Sequence, residues 1–181
     1  MANNIKKYIL TALTLGLIAA SGALLIATIN KLTKDKIIQN EQNKINNGIL
    51  TLYEDYPNPS IGNDTDLSNQ DFKYIDHIYY IYTSSDARVD PAGYAFRTTG
   101  SNMYGKISLI IGYTYEKAFL GLSIITNEQT YASTLVDNYI NPLNEGNREL
   151  EDVSCGATYG AKLVRDMVNE ANEVIKMVPR E

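Results

Sequence analysis

From Tyr8 to Ile29 the chain reads YILTALTLGLIAASGALLIATI, without one charged side chain. As a helix this run covers about 33 Å, enough to cross the hydrocarbon core of a bilayer. Backbone amides in lipid must bond within the segment itself, so the run predicts a transmembrane helix. A cleaved signal peptide is the competing reading. Its apolar core would be shorter, about 7–15 residues, and no small-x-small cleavage site follows Ile29 before Asn30 and Lys31. The single cysteine stands at 155, far from the run, which argues against a lipoprotein. A pilin-like helix would carry an acidic residue near its start, and this one has none. Lys6 and Lys7 precede the run, and Lys31, Lys34 and Lys36 follow it, partly offset by Asp35. The positive-inside count is therefore close to a tie.

Charge and soft-ligand content narrow the function. The chain carries 16 basic and 21 acidic side chains, a net charge of −5. Residues 1–30 hold two lysines and no acid, which leaves 14 basic against 21 acidic, or −7, for the rest. An acidic domain with no long basic cluster is a poor partner for nucleic acid or anionic lipid. One cysteine, Cys155, and one histidine, His77, cannot furnish a closed zinc site, a four-thiolate iron–sulfur cluster or a CxxCH haem attachment. An intrachain disulfide is excluded as well. Any electron chemistry here needs an organic cofactor, or a metal shared with other subunits.

Beyond the apolar run, KLTKDKIIQNEQNKINNGILTLY carries Ile38, Ile45, Ile49 and Leu52 near helical spacing and predicts a polar stalk continuing the membrane helix. Tyr56 to Asp71, with Pro57, Pro59 and Gly62, is expected as a turn-rich linker. From Lys73 the runs KYIDHIYYIYT, GYAFRTT, KISLIIGYT and KAFLGLSIIT predict an antiparallel sheet of at least four strands. A short helix is expected over Thr130 to Ile140. A longer one runs from about Tyr159 to Val178, with Leu163, Val164, Met167, Val168, Ala171, Val174, Ile175 and Val178 on one face. The expected fold is α+β: an anchor over 1–30, a stalk and linker over 31–71, and over 72–181 an antiparallel sheet packed on a C-terminal helix.

Few residues are placed to carry chemistry. Asp152-Val153-Ser154-Cys155-Gly156-Ala157-Thr158 forms a turn just before the last helix and ends in a hydroxyl. A helix start offers unpaired N–H groups and a positive dipole end, which suit a phosphate, and Gly156 and Ala157 let a ligand approach the backbone. The plain alternative makes Thr158 an N-cap and Asp152 a surface acid. Cys155 reads as a small packing residue or as a thiol beside a cofactor, and His77 as a half-buried sheet residue. With one histidine in the chain, no nucleophilic triad can be assembled.

Asp152 to Thr158 resembles the D-x-x-S/T-G-A-T/S signal on which a flavin transferase attaches FMN through a phosphodiester. Domains with this signal are the G subunit of the Rnf ferredoxin:NAD oxidoreductase and the C subunit of the sodium-translocating NADH:quinone reductase. Asn30-Lys31-Leu32-Thr33-Lys34 is similar to the N-x-L-T-K that follows the single span of the G subunits. Gly93-Tyr94-Ala95-Phe96, Tyr104-Gly105-Lys106-Ile107, Gly112 and Gly121 follow their strand landmarks. The resemblance implies FMN on Thr158, Gly156 and Ala157 shaping the turn beside Cys155, and Asp152 recognised by the transferase. It implies an electron relay with no catalytic acid or base, in a complex with integral and iron–sulfur subunits that drives sodium ions or protons across the membrane. It also implies a cytoplasmic amino terminus and an extracytoplasmic flavin domain. The small residues Gly16, Ala20, Gly22 and Ala23 would permit close helix contact in such a complex. The family has Ser, Thr or Ala where this chain has Cys155, and commonly Ser or Thr where it has Gly160. Its E-T-P-G-L-G loop stands here as Gln129-Thr130-Tyr131-Ala132-Ser133-Thr134, retaining Thr130, with Gln129 at the family's acidic position. Tyr131 and Tyr159 could stack on an isoalloxazine ring or serve packing. The alternative from another class is a single-pass membrane protein whose extracytoplasmic domain binds a ligand or assists assembly without a cofactor.

Overall fold

A computed structural model describes residues 2–67, 70–85 and 88–179, with the side chains of 2–5, 35, 85 and 88 left aside. The Asp35 charge counted above and residues 68–69 of the expected linker therefore lie outside what is described. The chain divides into two compact units, Met1–Asn43 and Lys44–Glu181.

The first unit is helical. Helix α1 runs from Ala2 to Leu52, and its apolar stretch is long enough to cross a membrane, with none of its most apolar window buried in the protein. Hydroxyls in this stretch bond back to their own helix: Thr11 donates to Lys7 O, Thr14 to Leu10 O, Ser21 to Ile18 O and Thr28 to Leu24 O, at 2.8–2.9 Å. In a bilayer these polar groups would meet lipid already satisfied.

The second unit is built on a five-stranded antiparallel meander, β1 Ser60–Asp66, β2 Ile75–Ser85, β3 Arg88–Asn102, β4 Gly105–Thr114 and β5 Phe119–Asn127, in spatial order β1-β2-β3-β4-β5. Helical segments follow: α2 Ala132–Leu135, a π-helical turn Val136–Ile140, α3 Asn141–Asn144 and α4 Thr158–Met177. Four strands and the last helix stand where the sequence pattern placed them.

Both faces of the sheet are covered. On one, Ile78, Phe96, Leu109, Ile111 and Leu122 pack with the apolar stripe of α4, Leu163, Val164, Met167, Val168 and Ala171, and with Leu135 and Tyr139. On the other, Ile45, Ile49 and Tyr53 pack with Tyr79, Ile81, Ala95, Ile110 and Ile125. Double coverage explains the unbroken burial of β4 from Ile107 to Tyr113, where a half-solvated strand would alternate. Tyr53 is fully buried, and its hydroxyl donates to Tyr94 O at 2.7 Å and Tyr113 O at 2.8 Å.

Two expectations are corrected. The segment expected as linker contains strand β1, whose residues SIGNDTD pair along β2 from Ser60↔Tyr82 to Asp66↔His77. An edge strand needs only backbone donors and acceptors, so it carried no alternating apolar signal. The expected stalk is also not uniformly solvated. Ile38 is 55% exposed, whereas Ile45 and Ile49 belong to the core.

Candidate functional site

Three segments far apart in sequence meet at one end of the sheet. The first is the β3–β4 hairpin, closed by Met103 and Tyr104 between the paired Asn102 and Gly105. Gly105 has φ +132°, and a side chain there would drive its Cβ to 2.1 Å from Glu128 O. Only glycine lets the second segment, Glu128–Tyr131, lie so close. That segment is laced to the hairpin. Glu128 N–H donates to Lys106 O at 2.8 Å, and Thr130 N–H donates to Tyr104 O at 2.9 Å. Gln129 Nε2 donates to Gly105 O, and the Thr130 hydroxyl donates to Tyr104 O at 3.2 Å.

The third segment is the loop leading into α4. Asp152 is exposed and accepts the Ser154 N–H on Oδ1 at 3.3 Å, the arrangement of an Asx turn. Arg148 clamps the same turn, donating to Asp152 O at 3.0 Å and to Ser154 O at 3.4 Å, with the Asp152 carboxylate 3.5 Å away. From the helical side, Asn138 Nδ2 donates to Cys155 O at 3.2 Å and the Tyr139 hydroxyl donates to Leu150 O at 2.5 Å. Both donors lie in the π-helical turn, a geometry found mostly as single turns and frequently at functional sites. Burial raises the Tyr139 hydroxyl pKa above its ordinary value, so it stays a donor. Gly156 then turns the chain with φ +83°.

Helix α4 begins with Ala157 as N-cap and without any capping side chain. Thr158 is the first helical residue, not the cap. Its side chain is half-buried, and among the described residues its hydroxyl has no hydrogen-bond partner. The plain N-cap reading of this threonine is thereby excluded, and among the described residues the amides of the first turn meet no side-chain acceptor.

Between the three segments lies a half-open pocket of about 330 Å³, at the small end of ligand-site volumes. It is lined by Gln129, Leu135, Gly156, Ala157, Thr158 and Gly160, with Tyr104, Tyr131 and Tyr159. None of these side chains is charged, which leaves the start of α4 as the positive feature of the wall. Gln129, Gly156, Ala157 and Thr158 are thus brought together. Cys155 is buried behind the turn, Thr130 braces the hairpin, and Asp152 organises the loop from outside; none of the three lines the pocket. Cys155 is a free cysteine.

Tyr104, Leu135, Asn138 and Arg148 were missed as site or supporting residues. Tyr104 was legible as part of the Tyr104-Gly105-Lys106-Ile107 landmark and of the tight hairpin Asn102-Met103-Tyr104-Gly105, but neither signal placed it at the pocket. His77 sits half-buried on β2 as expected, Nδ1 3.4 Å from Asp76. Among the described residues no group of His, Cys, Asp and Glu side chains is arranged to hold a metal ion.

Fold and site define a protein class: one candidate membrane span, and an α+β domain whose pocket opens at an uncapped helix start with a free threonine hydroxyl. Residues 1–49 match the family described as the RnfG N-terminal region. Over that segment the chain is similar to the amino-terminal region of RnfG, which supports a place among the subunits of an Rnf-type membrane complex. The match ends at residue 49, so the pocket-bearing sheet lies outside it. A search of curated proteins finds no match.

Proposed function

We propose that this chain carries FMN joined through its phosphate to Thr158 Oγ1 and relays electrons within an Rnf-type complex. One observation carries the reading. Thr158 presents an uncommitted hydroxyl on the wall of a pocket, at the start of a helix of 20 residues that no side chain caps. The residues present fit the group. A phosphate ester at this oxygen lies beside first-turn amides that lack a side-chain acceptor, Gly156 and Ala157 leave the approach open, and three tyrosines border the pocket.

When bound, the flavin supplies the redox chemistry. The chain's own residues hold and orient it. Asp152, Arg148 and Asn138 fix the loop that presents Thr158, Gln129 faces the pocket with its amide anchored on Gly105 O, and Cys155 packs behind. Asp152, exposed on that loop, is available for recognition by a flavin transferase.

The test is direct. Full-length protein produced with a flavin transferase and then denatured should retain flavin fluorescence in a gel, and peptide mass spectrometry should place the FMN on Thr158. Fluorescence lost on denaturation would overturn the covalent reading, and a protein that shows no flavin before or after denaturation would favour the alternative of a cofactor-free binding or assembly domain. In the same proposal the amino terminus is cytoplasmic and the domain extracytoplasmic. Protease added to wall-stripped cells should remove the domain, and full protection would reverse this orientation. The integral and iron–sulfur subunits of the complex should co-purify in mild detergent, and persistent isolation as a monomer would refute that partnership.

A further inference from the structure

Tyr131 and Tyr159 are 54% and 57% exposed, although most large aromatic side chains of the second unit are buried or half-buried. They are not scattered. Tyr131 follows the braced Glu128–Thr130 segment, Tyr159 stands in the first turn of α4, and both face Tyr104 at the hairpin tip. Ring centroids are 6.1 Å apart for Tyr104 and Tyr131 and 5.3 Å for Tyr104 and Tyr159. The interplanar angles are 55° and 39°, so the rings lean over the pocket without closing into a stack. Lys162 Nζ lies 5.7 Å from the centre of the Tyr159 ring.

Leaving two phenol rings half in water forfeits the burial that aromatic side chains ordinarily contribute. Exposed apolar surface converging on one concavity marks a binding surface. Tyr159 is also the immediate neighbour of Thr158, so whatever is tied to that hydroxyl starts within reach of its ring.

We propose that Tyr104, Tyr131 and Tyr159 form an aromatic rim that holds the flat ring system of the group carried on Thr158, so that a flexible tether ends in an oriented ring. This rests on the FMN reading above. Tyr104 is braced by the hydrogen bonds its carbonyl accepts from Thr130, which makes it the fixed wall. Tyr131 and Tyr159 are the exposed walls and can be exchanged without disturbing the core.

Time-resolved fluorescence anisotropy of the attached flavin, in the native full-length protein in detergent, tests the rim. A ring held by the protein tumbles with it, whereas a ring loose on its tether shows a fast depolarising phase. In Tyr131→Leu/Tyr159→Leu the ratio of loose to held ring should rise roughly two- to tenfold, the range an aromatic pair interaction implies. The measurement is made per flavin, so altered loading does not confuse it. Tyr159→Phe, which keeps the ring and loses the hydroxyl, should behave as the parent protein does. Flavin present on the denatured chain with unchanged anisotropy in the double leucine variant would overturn the rim and leave the FMN reading standing. Absence of covalent flavin from the parent protein would overturn both.

Discussion

Replacing Thr158 by alanine separates anchoring from helix capping, and the structure sets the size of each effect. A threonine acting as N-cap would cost about 1 kcal/mol on truncation. Thr158 is instead the first residue inside α4, with Ala157 as the cap and no hydrogen bond on the threonine hydroxyl. Truncation then removes one half-buried methyl, worth about 0.4 kcal/mol. Alanine's better helix propensity returns roughly 0.5 kcal/mol. The net change is close to zero, and the melting temperature of protein made without the transferase should move by no more than about 2–4 °C. Covalent flavin, by contrast, should vanish from Thr158→Ala and Thr158→Val, while Thr158→Ser retains part of it because the nucleophilic oxygen survives. Gel fluorescence of the denatured variants reads the loading, and thermal unfolding of the same variants reads the stability. Undiminished flavin on denatured Thr158→Ala would refute the anchor. A drop of about 1 kcal/mol with flavin retained would show a capping role that the geometry excludes.

Gly160→Ser should hold its flavin, because Gly160 lies inside helix α4 and the new Cβ meets mainly the flexible end of Leu135, at 2.9 Å. Repacking of about 1 kcal/mol is partly offset by helix propensity, and a sharp loss of loading in the gel assay would show that the pocket wall cannot yield. Glu170 accepts the backbone N–H groups of Lys73, Tyr74 and Ile75 at 2.6, 2.7 and 3.2 Å. Glu170→Gln, which removes the charge from these bonds, should destabilise by about 1–2 kcal/mol and speed amide hydrogen exchange at 74 and 75; unchanged protection would refute the clamp. Burial raises the hydroxyl pKa values of Tyr53, Tyr79, Tyr113 and Tyr139. A folded pKa above the unfolded one contributes stability that is complete below about pH 10 and is lost as pH climbs past it. Tyrosinate absorbance from these residues should therefore emerge together with unfolding, and their titration in a chain that stays folded would contradict their burial.

The amino-acid sequence by itself determined the elements that announce their own burial. An uncharged run of membrane length became a helix long and apolar enough to span a bilayer, the Ile, Tyr and Thr-rich runs became β2 to β5, and the stripe from Leu163 to Ile175 became the buried face of α4. The turn before that helix was legible too, because glycine, an acid and a hydroxyl are local signals. Tertiary structure alone decided the rest. Strand β1 is recruited through backbone hydrogen bonds, which leave no mark on side-chain pattern. Ile45, Ile49 and Tyr53 share helical spacing with the exposed Ile38, and periodicity names a face without naming what covers it. The pocket draws on residues 104, 129, 131, 135 and 156–160. Its geometry depends on a hairpin tip, a braced loop and a helix start meeting in space, and that meeting is set by the packing of both sheet faces rather than by any one segment.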